Sequence, residues 1–226
     1  MDTSAASRVF NIPELLEIIL LNLQSKDLLL SQRTARSFHS TTQGSIKLRR
    51  KLFLEPDWNL EGRVFDAYKP GNRPGRKPEN NRLLLKAFPG CYPTITLVIL
   101  RDGISAGGQS TFSSLGRREE WSWDVCMSFP ADRLPDVPAA VLRPEASWRK
   151  MLLSQPPCKS LYLVRRWQRG RHPAIVREGG VTMGDVFDGV TREDSGDGER
   201  KWHDSYISSD SCWHFEGPLQ CNMIEQ

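Results

Sequence analysis

The chain has 226 residues, a net charge of +4 and an apolar content of 38%, with 17 Gly and 15 Pro. That length fits one ordinary domain, or a small module joined to a larger one, with enough apolar surface for a packed core. The charge is spread along the chain, whereas a dedicated nucleic-acid binder clusters its Lys and Arg on one stripe. The segment from Ile12 to Leu23 carries Glu14, Glu17 and Asn22, and is too short and too polar to cross a bilayer. The start, Met1-Asp2-Thr3-Ser4, has neither the basic nor the apolar region of a secretory leader. With five scattered Cys, these features predict a soluble protein, cytoplasmic or nuclear, with reduced thiols.

Three helical segments are expected first. Ile12 to Leu23 opens with Pro13, whose missing N–H suits a first helical turn, and places Glu14 and Glu17 where the helix dipole favours negative charge. At about 100° per residue, Ile12, Leu15, Leu16, Ile19 and Leu23 share one inward-facing stripe. Leu20 lies at the edge of that stripe, and Ile18 and Leu21 point away from it. The second segment runs from Ser25, a good N-cap, to Phe38. Its Leu28, Ala35 and Phe38 share a face, while Leu29 and Leu30 point elsewhere. The third, Ser45 to Phe53, sets Ile46, Leu48, Leu52 and Phe53 against solvated Lys and Arg.

Residues 55–82 read as a linker, because the Pro and Gly of Lys69 to Pro78 break both helix and sheet. The basic residues Arg73 to Lys77 read as a solvated part of it, with nuclear targeting or anion binding as the other reading. Thr94 to Leu100 is a β-branched run that predicts a strand. Trp121 to Met127 alternates, which predicts a half-buried strand with Trp121 and Trp123 on one inward face. A short helix is expected over Trp148–Leu153, strands at Leu161–Val164 and Ala174–Val176, and a helix over Met183–Phe187 capped by Thr182. Residues 191–226 hold three Lys and Arg against eight Asp and Glu, and read as an acidic, flexible tail.

The first two helices are apolar on more than one side, in a unit small enough to struggle to bury its own surface. Surplus apolar surface marks a partner, with packing on the C-terminal domain of the same chain as the other reading. The run Glu14-Leu15-Leu16-Glu17-x-Ile19-Leu20-Leu21-x-Leu23, then Asp27-Leu28-Leu29-Leu30-x-Gln32-Arg33-x-x-Arg36-x-Phe38, then Ser45-x-x-Leu48-x-Arg50-x-Leu52-Phe53, resembles an F-box of the filamentous-fungal type. Ser147-Trp148-Arg149-x-Met151-x-Leu153-x-Gln155-Pro156-Pro157 and Gly180-Val181-Thr182-Met183-Gly184-Asp185 are similar to the downstream region of fungal F-box proteins. The chain departs from the common motif where Pro13 directly precedes Glu14, where Thr34 replaces Val, and where Phe38 replaces Trp.

The resemblance implies a three-helix F-box module over residues 9–54 that binds a Skp-family adaptor, and through it the cullin and RING subunits of an SCF-type ubiquitin ligase. The expected adaptor-binding residues are Pro13, Leu15, Leu16, Ile18, Ile19, Leu20, Leu21, Leu23, Leu28, Leu29, Leu30 and Phe38. The expected fold class is α+β: the module, the linker, a small β-rich α+β recognition domain over 83–190, and the tail. Thr34 is expected to weaken adaptor affinity by placing a hydroxyl where a methyl belongs.

Catalytic and metal chemistry find little support in the sequence. His203, Cys212, His214 and Cys221 lack the paired spacing zinc prefers, and Cys91, Cys126 and Cys158 read as small buried fillers. There is no Gly-x-Ser-x-Gly, and the Gly-rich stretch Gly103 to Ser110 lacks the Gly-Lys-Ser/Thr ending that cradles phosphate. No cofactor, metal or active site is expected, and ubiquitin transfer in such a ligase uses the cysteine of another subunit. Trp167 with Arg165, Arg166, Arg169 and Arg171 is the candidate for contact with an unknown protein substrate. Two other readings stand beside this one: a scaffold that binds the adaptor without recruiting a substrate for ubiquitination, and a small basic nucleic-acid-binding protein.

Overall fold

The computed structural model describes residues 5–58, 61–62, 78–88, 90–91, 93–100, 120–130, 138–139, 141–165, 168–169, 172–191, 212–219 and 222–223. It is a mixed helix and sheet protein of α+β class, divided into two units, Met1–Pro56 and Asp57–Gln226.

The first unit is helical: α1 (Ala5–Phe10), α2 (Pro13–Leu21), α3 (Ser25–Ser31), α4 (Arg36–Gly44) and α5 (Ile46–Lys51). Pro13 opens α2 as expected, with Glu14 in its first turn. The single helix expected over 25–38 is two. Ser31 Oγ donates to the Leu28 carbonyl at 2.9 Å and Thr34 Oγ1 to the Ser31 carbonyl at 2.7 Å, and such hydroxyls offer the backbone an alternative to continued helix. Ala35 is then extended and starts α4 afresh. Gln24, not Ser25, is the N-cap of α3, with no side-chain bond. The core of this unit is Leu16, Leu20, Leu28, Leu48, Leu52 and Phe53.

The second unit begins with β1 (Glu61–Gly62), β2 (Glu79–Asn80), α6 (Leu84–Ala87), β3 (Thr94–Leu100) and β4 (Glu120–Pro130). A 3-10 turn at Ser147–Lys150 leads to β5 (Ser154–Gln155), β6 (Ser160–Arg165), β7 (Gln168–Arg169) and β8 (Ile175–Val176). Then follow α7 (Met183–Thr191), β9 (Cys212–Pro218) and β10 (Asn222–Met223). The main sheet runs β3-β4-β9-β6-β7, with β8 paired to β6. All of its pairings are antiparallel. Alternation places positions 121, 123, 125 and 127 on one face of β4, and Val125 and Met127 there are buried.

Three expectations are corrected in this unit. The flexible tail over 191–226 contains β9, which lies between β4 and β6 in the sheet and buries Phe215. Its alternation of Trp213 and Phe215 with polar neighbours was masked by the acidic composition around it. The linker over 55–82 contains structured positions. The Asp57 N–H donates to Gln155 Oε1 at 2.8 Å, the Lys159 ammonium lies 5.2 Å from the Trp58 ring centroid, β1 pairs with β10, and β2 pairs with β5. The run Lys69 to Lys77 lies outside the described residues. Finally, Met151–Leu153 is extended rather than helical, because it pairs with residues 181–183: the Leu153 N–H donates to the Val181 carbonyl and the Met183 N–H to the Met151 carbonyl.

The core of the second unit includes an aromatic triangle. Phe88 and Trp148 meet edge to face at 4.7 Å, Trp148 and Phe187 at 5.2 Å, and Phe88 and Phe187 at 5.7 Å. Arg149 stacks 4.8 Å above the Trp148 ring and bonds Asp188 at 2.6 Å. Asn81 is fully buried and satisfied: its side-chain amide donates to the Leu152 carbonyl at 2.9 Å, and its side-chain carbonyl accepts from the Leu83 N–H at 3.1 Å.

Candidate functional site

Helix α2 carries apolar side chains around most of its circumference, and the fold divides them into two sets. Leu16, Leu20 and, on α3, Leu28 are 0–1% exposed and belong to the unit's own core. Ile12, Leu15, Ile18, Ile19 and Leu30 are 38–55% exposed. Positions 12, 15 and 19 recur at helical spacing, with 18 beside them, so α2 presents a continuous apolar strip. Pro13 is exposed at one end of that strip. Leu21, Leu23, Leu29 and Phe38 are half-buried, and the Phe38 ring meets that of Phe10 edge to face at 5.4 Å.

The inward stripe expected from the sequence is therefore corrected. Of Ile12, Leu15, Leu16, Ile19 and Leu23, only Leu16 is fully buried, and Leu20 joins it from the edge position. The buried side is the one that packs on α1, α4 and α5, where polar bonds to α5 that periodicity does not report are also made. Ser45 Oγ donates to Glu17 Oε1, and the Lys51 ammonium donates to the Leu21 carbonyl at the end of α2. These bonds hold the Glu17 side of α2 against α5, and the richer apolar stripe faces outward. The residues expected to dock thus separate: Leu16, Leu20 and Leu28 build the unit, while Pro13, Leu15, Ile18, Ile19 and Leu30 are on its outer surface. Ile12 and Ile46 are exposed apolar residues that the sequence reading left out of the surface.

Thr34 is exposed, and its hydroxyl is already satisfied by the Ser31 carbonyl.

In the second unit, the register pairs Val164 with Arg169 and Arg165 with Gln168, which makes β6 and β7 a hairpin. Arg165 and Arg169 flank its tip on the backbone, while Arg166, Trp167 and Arg171 lie outside the described residues.

The zinc candidates are not brought together among the described residues. His214 lies on β9 with its Nδ1 2.8 Å from Ser128 Oγ, Cys212 is two residues before it on the same strand, and His203 and Cys221 lie outside. Cys91 and Cys158 are buried and Cys126 is half-buried. Burial, reinforced by the charge of Asp124, pushes the Cys158 thiol up to about 12. No helix among the described residues is long and apolar enough to cross a membrane. Set against known proteins, the chain matches no protein-family model, no curated protein and no solved structure.

Proposed function

We propose that the first unit is an F-box-type docking module that binds a Skp-family adaptor, and that the chain is a substrate-recruiting subunit of an SCF-type cullin-RING ubiquitin ligase. The observation that carries this reading is the exposure of Leu15, Ile18, Ile19 and Leu30 on a helical unit that already has its own core. These side chains are 38–55% exposed, so burying the rest of each contributes on the order of 1 kcal/mol before the costs of association, and they act as a set. The resemblance of residues 9–54 to fungal F-box sequences is what points to a Skp-family adaptor as the partner. In this reading the chain needs no active site, because ubiquitin passes through the cysteine of another subunit. The β6–β7 hairpin, with Arg165 and Arg169 at register positions beside its tip, is the place proposed for substrate contact.

The test is calorimetry of the full chain with a Skp-family adaptor. Leu15→Asp with Ile18→Asp is expected to remove binding, since buried unpaired carboxylates add a desolvation penalty to the lost apolar contact. Circular dichroism is expected to show the variant as folded as the parent. An unchanged affinity in that folded variant would reject the docking face, and no adaptor binding by the parent chain would reject the F-box reading.

A further inference from the structure

Helix α2 has two ways to face its own unit. One buries Leu16 and Leu20; the other buries Ile12, Leu15, Leu16 and Ile19. At about 100° per residue the centres of these faces differ by roughly 70°, so a roll of the helix exchanges Leu20 for the others while Leu16 stays inward. Apolar content alone favours the second arrangement, and the structure adopts the first. Something other than hydrophobic patterning therefore sets the roll.

Two hydrogen bonds between α2 and α5 are placed to do so. At one end of α5, Ser45 is the N-cap: its Oγ accepts from the Leu48 N–H at 3.2 Å, and the same hydroxyl donates to Glu17 Oε1. At the other end Lys51, the last residue of α5, donates to the carbonyl of Leu21, the last residue of α2. The ammonium meets the negative end of the α2 dipole there. A single bond would leave α2 free to pivot about it. Two bonds, separated by one turn of α2, fix its rotation as well as its distance. Glu17 is half-buried on this side, and a carboxylate held away from bulk water needs such a donor.

We propose that Glu17, Ser45 and Lys51 are positioning residues that set the roll of α2 and so choose which of its apolar faces is shown to a partner. The importance of that choice for adaptor binding rests on the F-box reading; the roll itself does not. Ser45→Asp keeps an N-cap acceptor for α5 but replaces the donor with a second carboxylate facing Glu17. Lys51→Met keeps the aliphatic stem and removes the other donor.

The experiment uses the full chain with a reporter thiol introduced one at a time as Leu15→Cys, Ile18→Cys or Ile19→Cys. All three positions are exposed, so each tolerates the change. Alkylation rates are read peptide by peptide, which separates the reporter from the native cysteines. In the parent chain all three are expected to react readily. In the Ser45→Asp, Lys51→Met background the reporters at 15 and 19 are expected to slow at least about tenfold, while 18, off the stripe that turns inward, stays reactive. In a Ser45→Asp chain that keeps Lys51, adding Glu17→Gln gives the new carboxylate an amide donor, so both links are present and the parent pattern is expected. Unchanged rates in the Ser45→Asp, Lys51→Met variant would show that packing alone fixes the roll and overturn the proposal. Equal, rapid reaction at all three sites with loss of helicity would also overturn it, leaving the bonds a purely structural role. No adaptor enters the measurement, so either failure leaves the docking reading standing.

Discussion

Phe53 sits at φ 59°, a left-handed conformation that glycine usually occupies. It follows α5 as the residue after the C-cap, with its N–H on the Arg50 carbonyl and the Leu54 N–H on the Arg49 carbonyl, both at 2.9 Å, the double bond pattern of a Schellman stop. The strain of roughly 1–2 kcal/mol is outweighed by burial of the ring. Phe53→Gly relieves the first and loses the second, worth about 3–5 kcal/mol in aromatic truncations, so it is expected to lower the denaturant midpoint despite restoring the favoured residue. Gly184 presents the opposite case. A Cβ there would lie 2.5 Å from the Arg149 carbonyl oxygen, so α7 can approach the Ser147–Lys150 turn only with a glycine. Gly184→Ala is expected to destabilise the second unit by about 1–3 kcal/mol, read by thermal unfolding. At Cys158 the folded thiol holds its proton to about 12, against 9.0 for a free one. Its contribution to stability is complete below pH 9 and is lost as pH rises from 9 to 12, because only the unfolded chain releases the proton early. The urea midpoint is expected to fall more steeply above pH 9 in the parent than in Cys158→Ala.

At the scale of elements, α7 shows how a cap turns sequence into position. The Thr182 N–H and hydroxyl both donate to Asp185 Oδ2, at 2.9 and 2.8 Å, and the Asp185 N–H returns a bond to Thr182 Oγ1 at 3.2 Å, a reciprocal capping arrangement with Asp in the third position. Asp185 Oδ1 also accepts from Arg177 at 2.7 Å. Thr182→Ala is expected to cost about 1 kcal/mol, seen as a melting temperature lower by roughly 2–4 °C, and Thr182→Ser to recover most of it. Helix α2 separates core positions from surface positions in the same way. Leu20→Asp puts a carboxylate into the core of the first unit and is expected to unfold it. Ile18→Asp changes an exposed position and is expected to leave stability within about 0.5 kcal/mol, with circular dichroism deciding both.

The whole molecule places its last long strand inside its sheet. Because β9 lies between β4 and β6, the second unit is incomplete until the chain beyond residue 211 is present. A fragment spanning residues 57–226 is expected to fold, since Asp57 bonds Gln155, Trp58 meets Lys159, and β1 and β2 pair with strands within that unit. A fragment of residues 83–190 is expected to aggregate. It loses Asn81, whose backbone and side-chain amides donate to Leu153 and Leu152, and leaves the facing edges of β4 and β6 unpaired. Proteolysis and far-UV circular dichroism of the two fragments check the pair of outcomes.

Periodicity alone determined much of this architecture. The β-branched run at Thr94, the alternation at Trp121, the cap at Thr182 and the apolar helices at the N-terminus are local patterns, and local patterns survive into the fold because backbone geometry imposes periods of 2 and 3.6. The surplus apolar surface of α2 was legible for the same reason. Tertiary structure decided what local pattern leaves degenerate. The roll of α2 depends on Ser45 and Lys51, 28 and 30 residues away from their partners Glu17 and Leu21. Composition pointed to a disordered tail over residues 191–226, yet Phe215 packs between strands formed much earlier in the chain. A helix apolar on several sides has several nearly equivalent ways to pack, and an acidic segment can still hold one buried strand. The choice in each case is made by hydrogen bonds and sheet neighbours distant in sequence, which no window of adjacent residues contains.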